Sequence, residues 1–81
     1  MNYIEIATNE GRNNMTVIFS YYSEKDGVIV NREGFPYEIK NEVLYYYDFL
    51  KSGLRTIKLS NIHGIKATGK KNPGTPFPCS M

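Results

Sequence analysis

Met15-Thr16-Val17-Ile18-Phe19-Ser20-Tyr21 is the stretch on which the reading of the fold turns. Its odd positions, Met15, Val17, Phe19 and Tyr21, are apolar, while Thr16 and Ser20 interrupt the even set. Side chains on a strand alternate between two faces, so this spacing predicts a half-buried β-strand. The polar run Asn9-Glu10-Gly11-Arg12-Asn13-Asn14 leads into it, and Ser23-Glu24-Lys25-Asp26-Gly27 follows as a hairpin loop. Asp-Gly supplies the positive φ that tight hairpins need.

Working outward, Val28-Ile29-Val30-Asn31 reads as the next strand, closed by Arg32-Glu33-Gly34. Phe35-Pro36-Tyr37-Glu38-Ile39 alternates again, with Pro36 expected at an edge or a strand start because it cannot donate to a ladder. Lys40-Asn41-Glu42 turns the chain into Val43-Leu44-Tyr45-Tyr46-Tyr47-Asp48. A loop over Phe49-Leu50-Lys51-Ser52-Gly53 precedes Leu54-Arg55-Thr56-Ile57-Lys58-Leu59. Ser60-Asn61-Ile62-His63-Gly64 has the look of a short 3₁₀ turn, and Ile65-Lys66-Ala67-Thr68 of a last short strand. At the start, Tyr3-Ile4-Glu5-Ile6-Ala7 fits a strand or one helical turn, with strand preferred; no segment shows a stripe long enough for a packed helix. After Gly69 the run from Lys70 to Pro78 holds three prolines and reads as an irregular tail.

Five or six short strands joined by tight turns predict an all-β fold, a small SH3/Sm-like barrel with an irregular C-terminal tail. Closure removes the edges that so small a sheet otherwise exposes. The expected organisation is one barrel domain over 1–69 and a Pro-rich tail over 70–81. A chain of 81 residues has room for one core. Its single cysteine, Cys79, excludes an intrachain disulfide, and one cysteine with one histidine cannot form a thiolate–imidazole zinc cage. No apolar run approaches the ~20 residues of a membrane span, and Met1-Asn2-Tyr3-Ile4-Glu5 has no signal-peptide character. These features predict a reduced, cytoplasmic protein without cofactor or metal. The abundance of Asn, Ile, Lys and Tyr suits an AT-rich bacterial or phage genome.

Charge is unevenly distributed. Residues 1–47 carry four basic side chains against seven acidic, whereas 48–81 carry six basic against Asp48 alone. Lys58, Lys66, Lys70 and Lys71 form a candidate basic patch for phosphates or an acidic partner, with the plainer reading, lysines that keep an edge strand from aggregating, preferred. Tyr21, Tyr22, Tyr37, Tyr45, Tyr46 and Tyr47 are the most notable set. Strand alternation places Tyr45 and Tyr47 on one face and Tyr46 on the other, so one face of them is core and the other open. Open tyrosines beside Arg32 or Arg55 suit base stacking and protein hot spots alike, and cross-strand packing accounts for them as well. Arg55 shares a face with Ile57 and Leu59 and therefore needs a partner, with Glu38 and Asp48 the nearest carboxylates in prospect. His63 has no carboxylate or nucleophile near it in sequence, and no Gly-rich phosphate loop is present, so the chain reads as a binder and not an enzyme.

The order of landmarks from Val17 to Lys70 resembles the barrel part of WYL domains. These are an apolar strand ending in Tyr21-Tyr22-Ser23, a hairpin with Gly27, then Arg32 and Pro36, then Val43-Leu44-Tyr45-Tyr46-Tyr47-Asp48, and an arginine-led strand from Leu54 to Leu59. Aligned on Asp48, the eponymous Trp and Tyr fall at Glu42 and Val43, Leu44 is kept, and Asn61 stands where a second arginine is usual. The chain thus resembles a degenerate, stand-alone relative. The resemblance implies an Sm/SH3-type barrel in a regulator that recognises nucleic acid or a nucleotide-like ligand. It places Tyr22, Ser23, Arg32, Tyr46 and Arg55 on the ligand-facing surface. The alternative is a protein–protein module, for example a phage-type inhibitor docking on a host protein.

Overall fold

The computed structural model describes residues 3–74 and residue 80. A helix, α1 (Tyr3–Arg12), precedes five strands: β1 (Met15–Ser23), β2 (Val28–Lys40), β3 (Val43–Asp48), β4 (Gly53–Lys58) and β5 (Ile62–Lys71). A 3₁₀ turn over Leu59–Asn61 joins β4 to β5. The strands form one antiparallel sheet in the order β4-β3-β2-β1-β5. The fold is all-β, small and barrel-like, as the strand periodicity predicts. Pro76, Phe77, Pro78 and Cys79 of the expected tail lie outside the described residues.

The odd positions of β1 point inward: Val17, Phe19 and Tyr21 are buried among Leu44, Tyr46, Ile57, Ile62 and Ile65. Burying such a side chain contributes about 1.5–3 kcal/mol, so this cluster supplies most of the drive to fold. The two strands expected over 28–31 and 35–39 are one continuous strand. β2 pairs with β1 up to Gly34 and with β3 from Gly34 onward. Gly34 is the hinge between the two pairings: a Cβ there would run into the Tyr46 ring and the Tyr47 carbonyl oxygen. Beyond Gly34 the ladder with β1 has ended, so Pro36 is tolerated on a locally free edge. A bulge at Tyr37 then shifts the register between Pro36 and Glu38.

The turns follow their residues. Asn41 and Glu42 both take positive φ (54° and 63°), the requirement of a two-residue type I′ hairpin between β2 and β3. Gly27, at φ 69°, closes the β1–β2 hairpin, and its N–H donates to the Ser23 carbonyl at 2.7 Å.

The opening segment corrects the sequence reading. Tyr3–Arg12 is helical, with Ala7 and Gly11 buried and Tyr3 and Ile6 half-buried on the same side. Positions 3, 6, 7 and 11 make a helical stripe, but two of its members are so small that it carries little hydropathy. Those small residues bring α1 close against the sheet, where Ala7 joins the core and the Tyr3 hydroxyl donates to the His63 carbonyl at 2.6 Å. Asn14, in the left-handed region at φ 59°, ends the helix. His63 lies in β5, outside the turn expected to hold it.

β5 continues through Lys70 and Lys71, beyond the expected start of the tail. Thr16 on β1 secures it: its hydroxyl lies 2.6 Å from that of Thr68, where the β1–β5 register shifts. The Asn72 N–H then donates to the Asn14 carbonyl at 2.8 Å. Among the described residues no helix is long and apolar enough to cross a membrane.

Candidate nucleotide-binding site

Strand register decides which side chains face the barrel interior. Phe19 pairs with Arg32, Tyr21 with Val30, and Tyr46 with Arg55, so both arginines share the inward face with the apolar core. They sit where that face opens to solvent. The cavity there has a volume of about 470 Å³. Tyr22, Ser23, Arg32 and Arg55 all line it, so four of the five residues expected at the site converge.

Tyr46 does not. It is 0% exposed, at the centre of the core, with its ring 4.6 Å from that of Phe19 and its hydroxyl 3.4 Å from that of Tyr21. Burial, reinforced by the Tyr21 hydroxyl, holds its ionisation far above the usual tyrosine range. It props the floor beneath Arg55 and offers no ring to a ligand. The inward parity of β3 belongs to Leu44, Tyr46 and Asp48, leaving Tyr45 and Tyr47 half-buried on the outer face.

Asp48, wholly buried, organises the β3–β4 turn. Its Oδ1 accepts the N–H groups of Leu50 (2.9 Å) and Lys51 (3.2 Å). Oδ2 stands 3.2 Å from Arg55 Nε, although the N–H does not aim at it and no hydrogen bond forms. The pairing of Arg55 with a carboxylate, expected from its apolar-side position, is therefore met by Asp48. It is one-sided: Asp48 is enclosed, while the Arg55 side chain is 41% exposed and lines the cavity. Arg32 Nη1 donates to the Asn31 carbonyl at 3.1 Å, but its Nε is buried without a hydrogen-bond partner. A buried donor without an acceptor costs about 1–3 kcal/mol, so this end of the barrel is not tuned for stability.

The hairpin loop forms the mouth. The Ser23 hydroxyl donates to Asp26 Oδ2 (3.2 Å) and accepts the Asp26 N–H (3.3 Å), a local turn-closing role. Glu24 reaches across to β4: Oε2 lies 3.2 Å from Lys58 Nζ and accepts from Asn61 Nδ2 at 3.1 Å. The Lys58 hydrogen bond, then Asn61, holds the Glu24 carboxyl below its ordinary range. Lys25, Lys51 and Lys58 complete the lining with the two arginines, so five cations face two carboxylates, Glu24 and Asp26.

The expected basic patch divides. Lys58 belongs to this cavity, whereas Lys66, Lys70 and Lys71 lie on β5, at the other edge of the sheet order. Lys66 pairs with Ile18, on the outer face of β1. Sequence reasoning missed Glu24, Lys51 and Asn61, because Glu24 stands 34 residues from Lys58 and 37 from Asn61. Only the strand register brings the hairpin loop to the end of β4.

No family model matches the chain, and no curated protein matches its sequence. Among solved structures, its fold is similar to a segment of proteasome accessory factor B/C (PafBC) of Arthrobacter aurescens, with a TM-score of 0.70 at 19% identity. The match covers 93% of this chain and 13% of that one, so the chain spans a small part of that protein's length. At this identity the likeness shows a shared fold.

Proposed function

We propose that this protein is an intracellular regulatory binding module. In this reading it takes a nucleic acid or nucleotide-like anion at the barrel-end cavity, through Arg32 and Arg55 with Tyr22 at the rim, and catalyses nothing. The observation that carries the reading is the convergence of Tyr22, Ser23, Arg32 and Arg55 on one cavity where cations outnumber carboxylates five to two. Arginine's planar fork suits phosphate oxygens.

Affinity measured against salt tests it, with short single-stranded RNA and DNA, duplex DNA and free nucleotides as probes. For single strands, log affinity falls with log salt at a slope of about −0.7 per phosphate contact. A folded Arg32→Met variant loses that binding. Salt-insensitive binding, or none, contradicts the reading.

A second reading, docking on another protein, is favoured by one observation: Val28, Ile29 and Tyr22 are 54%, 52% and 40% exposed on the β1–β2 hairpin. A partner held there responds weakly to salt and strongly to Ile29→Asp.

A further inference from the structure

The bulge at Tyr37 and the parity of β3 build a second concavity on the opposite side of β4. Tyr45 lies opposite Thr56 in the β3–β4 ladder, and Tyr37 leans toward Tyr45 with ring centroids 6.2 Å apart at 54°. The rings are tilted and do not stack face to face. With Leu54, 51% exposed, they line a groove of about 630 Å³. Its rim carries Lys51 and Arg55, two of the five cations that line the barrel-end cavity, and no carboxylate lines it. Glu38, the cross-strand partner of Tyr45, stands on the β2 side and is not part of the lining. On its outer side β4 has no neighbouring strand among the described residues, so nothing in the sheet separates cavity from groove except β4 itself.

We infer that the groove is a base-stacking subsite for a nucleotide whose strand crosses the β4 edge. This rests on the cavity reading above: a phosphate sits among Arg32, Arg55 and Lys51, and the base of an adjoining nucleotide enters the groove against Tyr45. Flat aromatic faces beside cations fit this ligand, since every base has a π-face and every linkage a charge. A duplex keeps its bases stacked within itself and cannot offer one. A mononucleotide fills the cavity alone.

The test compares three probes by fluorescence anisotropy: a short oligodeoxyadenylate, an abasic phosphodiester of equal length, and adenosine 5′-monophosphate. Tyr45→Leu keeps an apolar side chain at a half-buried, outward position. It is expected to weaken the oligodeoxyadenylate by about five- to 150-fold, the range for one base–aromatic stack, while leaving the other two probes unchanged. Leu54→Glu, at an exposed position, adds a carboxylate to the rim, acts in the same direction and guards against a folding artefact at Tyr45. Equal oligodeoxyadenylate affinity for wild type and both variants, with the abasic probe still bound through Arg55, overturns the stacking subsite and leaves the cavity reading standing. Failure of all three probes to bind wild type overturns both.

Discussion

The inner face of this sheet has two regions built on one alternation and finished differently. Where α1 covers it, the face is closed by Ala7 and Gly11 pressed against the strands, with Val17, Phe19 and Ile65 beneath. Where the β1–β2 hairpin and β4 leave it open, the same parity delivers Arg32, Asp48 and Arg55. No residue of α1 lines the open cavity. The covered region is packed as a small core needs to be. The open one holds a buried carboxylate, an ion pair with one solvated member and a donor without an acceptor. A domain of this size has little stability to give up, so the half-exposed Arg55 and the unpartnered Arg32 Nε mark the less optimised of the two regions.

Substitutions at Tyr46, Asp48, Arg32 and Glu24 put that contrast at risk. Tyr46→Ala, beneath both regions, is expected to destabilise most, by about 3–5 kcal/mol in urea unfolding, as for other buried aromatics. Asp48→Ala removes the acceptor for two turn N–H groups and the partner of Arg55, at about 2–4 kcal/mol. Asp48→Asn keeps an acceptor for the turn and loses the charge, so it recovers part of that loss; equal losses would mean that the ion pair carries it all. Arg32→Met goes the other way. Replacing a partly buried cation and its unpartnered Nε with a side chain of similar length is expected to stabilise by about 1 kcal/mol while abolishing anion binding. A destabilised Arg32→Met would show that Arg32 belongs to the structure and not to a site.

A titration also tests Tyr46. Its folded-state ionisation is raised above the ordinary value of 10.0, so the folded state holds the proton more tightly than the unfolded chain does. The resulting stability is fully present below pH 10 and declines as the pH rises above it, toward the folded-state value. Tyr46→Phe should flatten this alkaline loss in thermal melts above pH 10. Glu24 works in the opposite sense and least strongly. Its lowered carboxyl favours the folded state above the ordinary value of 4.5 and ceases to do so as pH falls. Because its side chain is exposed, Glu24→Gln is expected to leave the melting temperature unchanged and to loosen only the hairpin, read by amide exchange at Lys25–Gly27.

The strands were legible because alternation reports directly on a two-faced sheet: Val17, Phe19 and Tyr21 are inward, and the turns at Gly27 and Asn41-Glu42 lie where their residues demand. The helix was not, because Ala7 and Gly11 mark its buried side by being small. Tyr46 was misplaced for a different reason. The resemblance to WYL barrels alone put it on the ligand-facing surface, and with Asp48 in the buried set alternation left open which face of β3 is core. What makes Leu44, Tyr46 and Asp48 the inner set is tertiary: Gly34 leaves space for the Tyr46 ring, and the turn amides satisfy Asp48. Arg32 and Arg55 were found as candidates, but their meeting depends on a register running through β2 and β3, which residue spacing does not report.

The most direct test of the open, arginine-bearing region as a binding site is amide chemical-shift mapping of the labelled protein. Single-stranded DNA, single-stranded RNA, duplex DNA and free nucleotides are titrated in turn at low and high salt. Salt-sensitive shifts centred on Tyr22, Ser23, Arg32 and Arg55, with α1 unmoved, are the predicted result. Shifts confined to Lys66, Lys70 and Lys71 on β5, or none with any probe, would contradict the account.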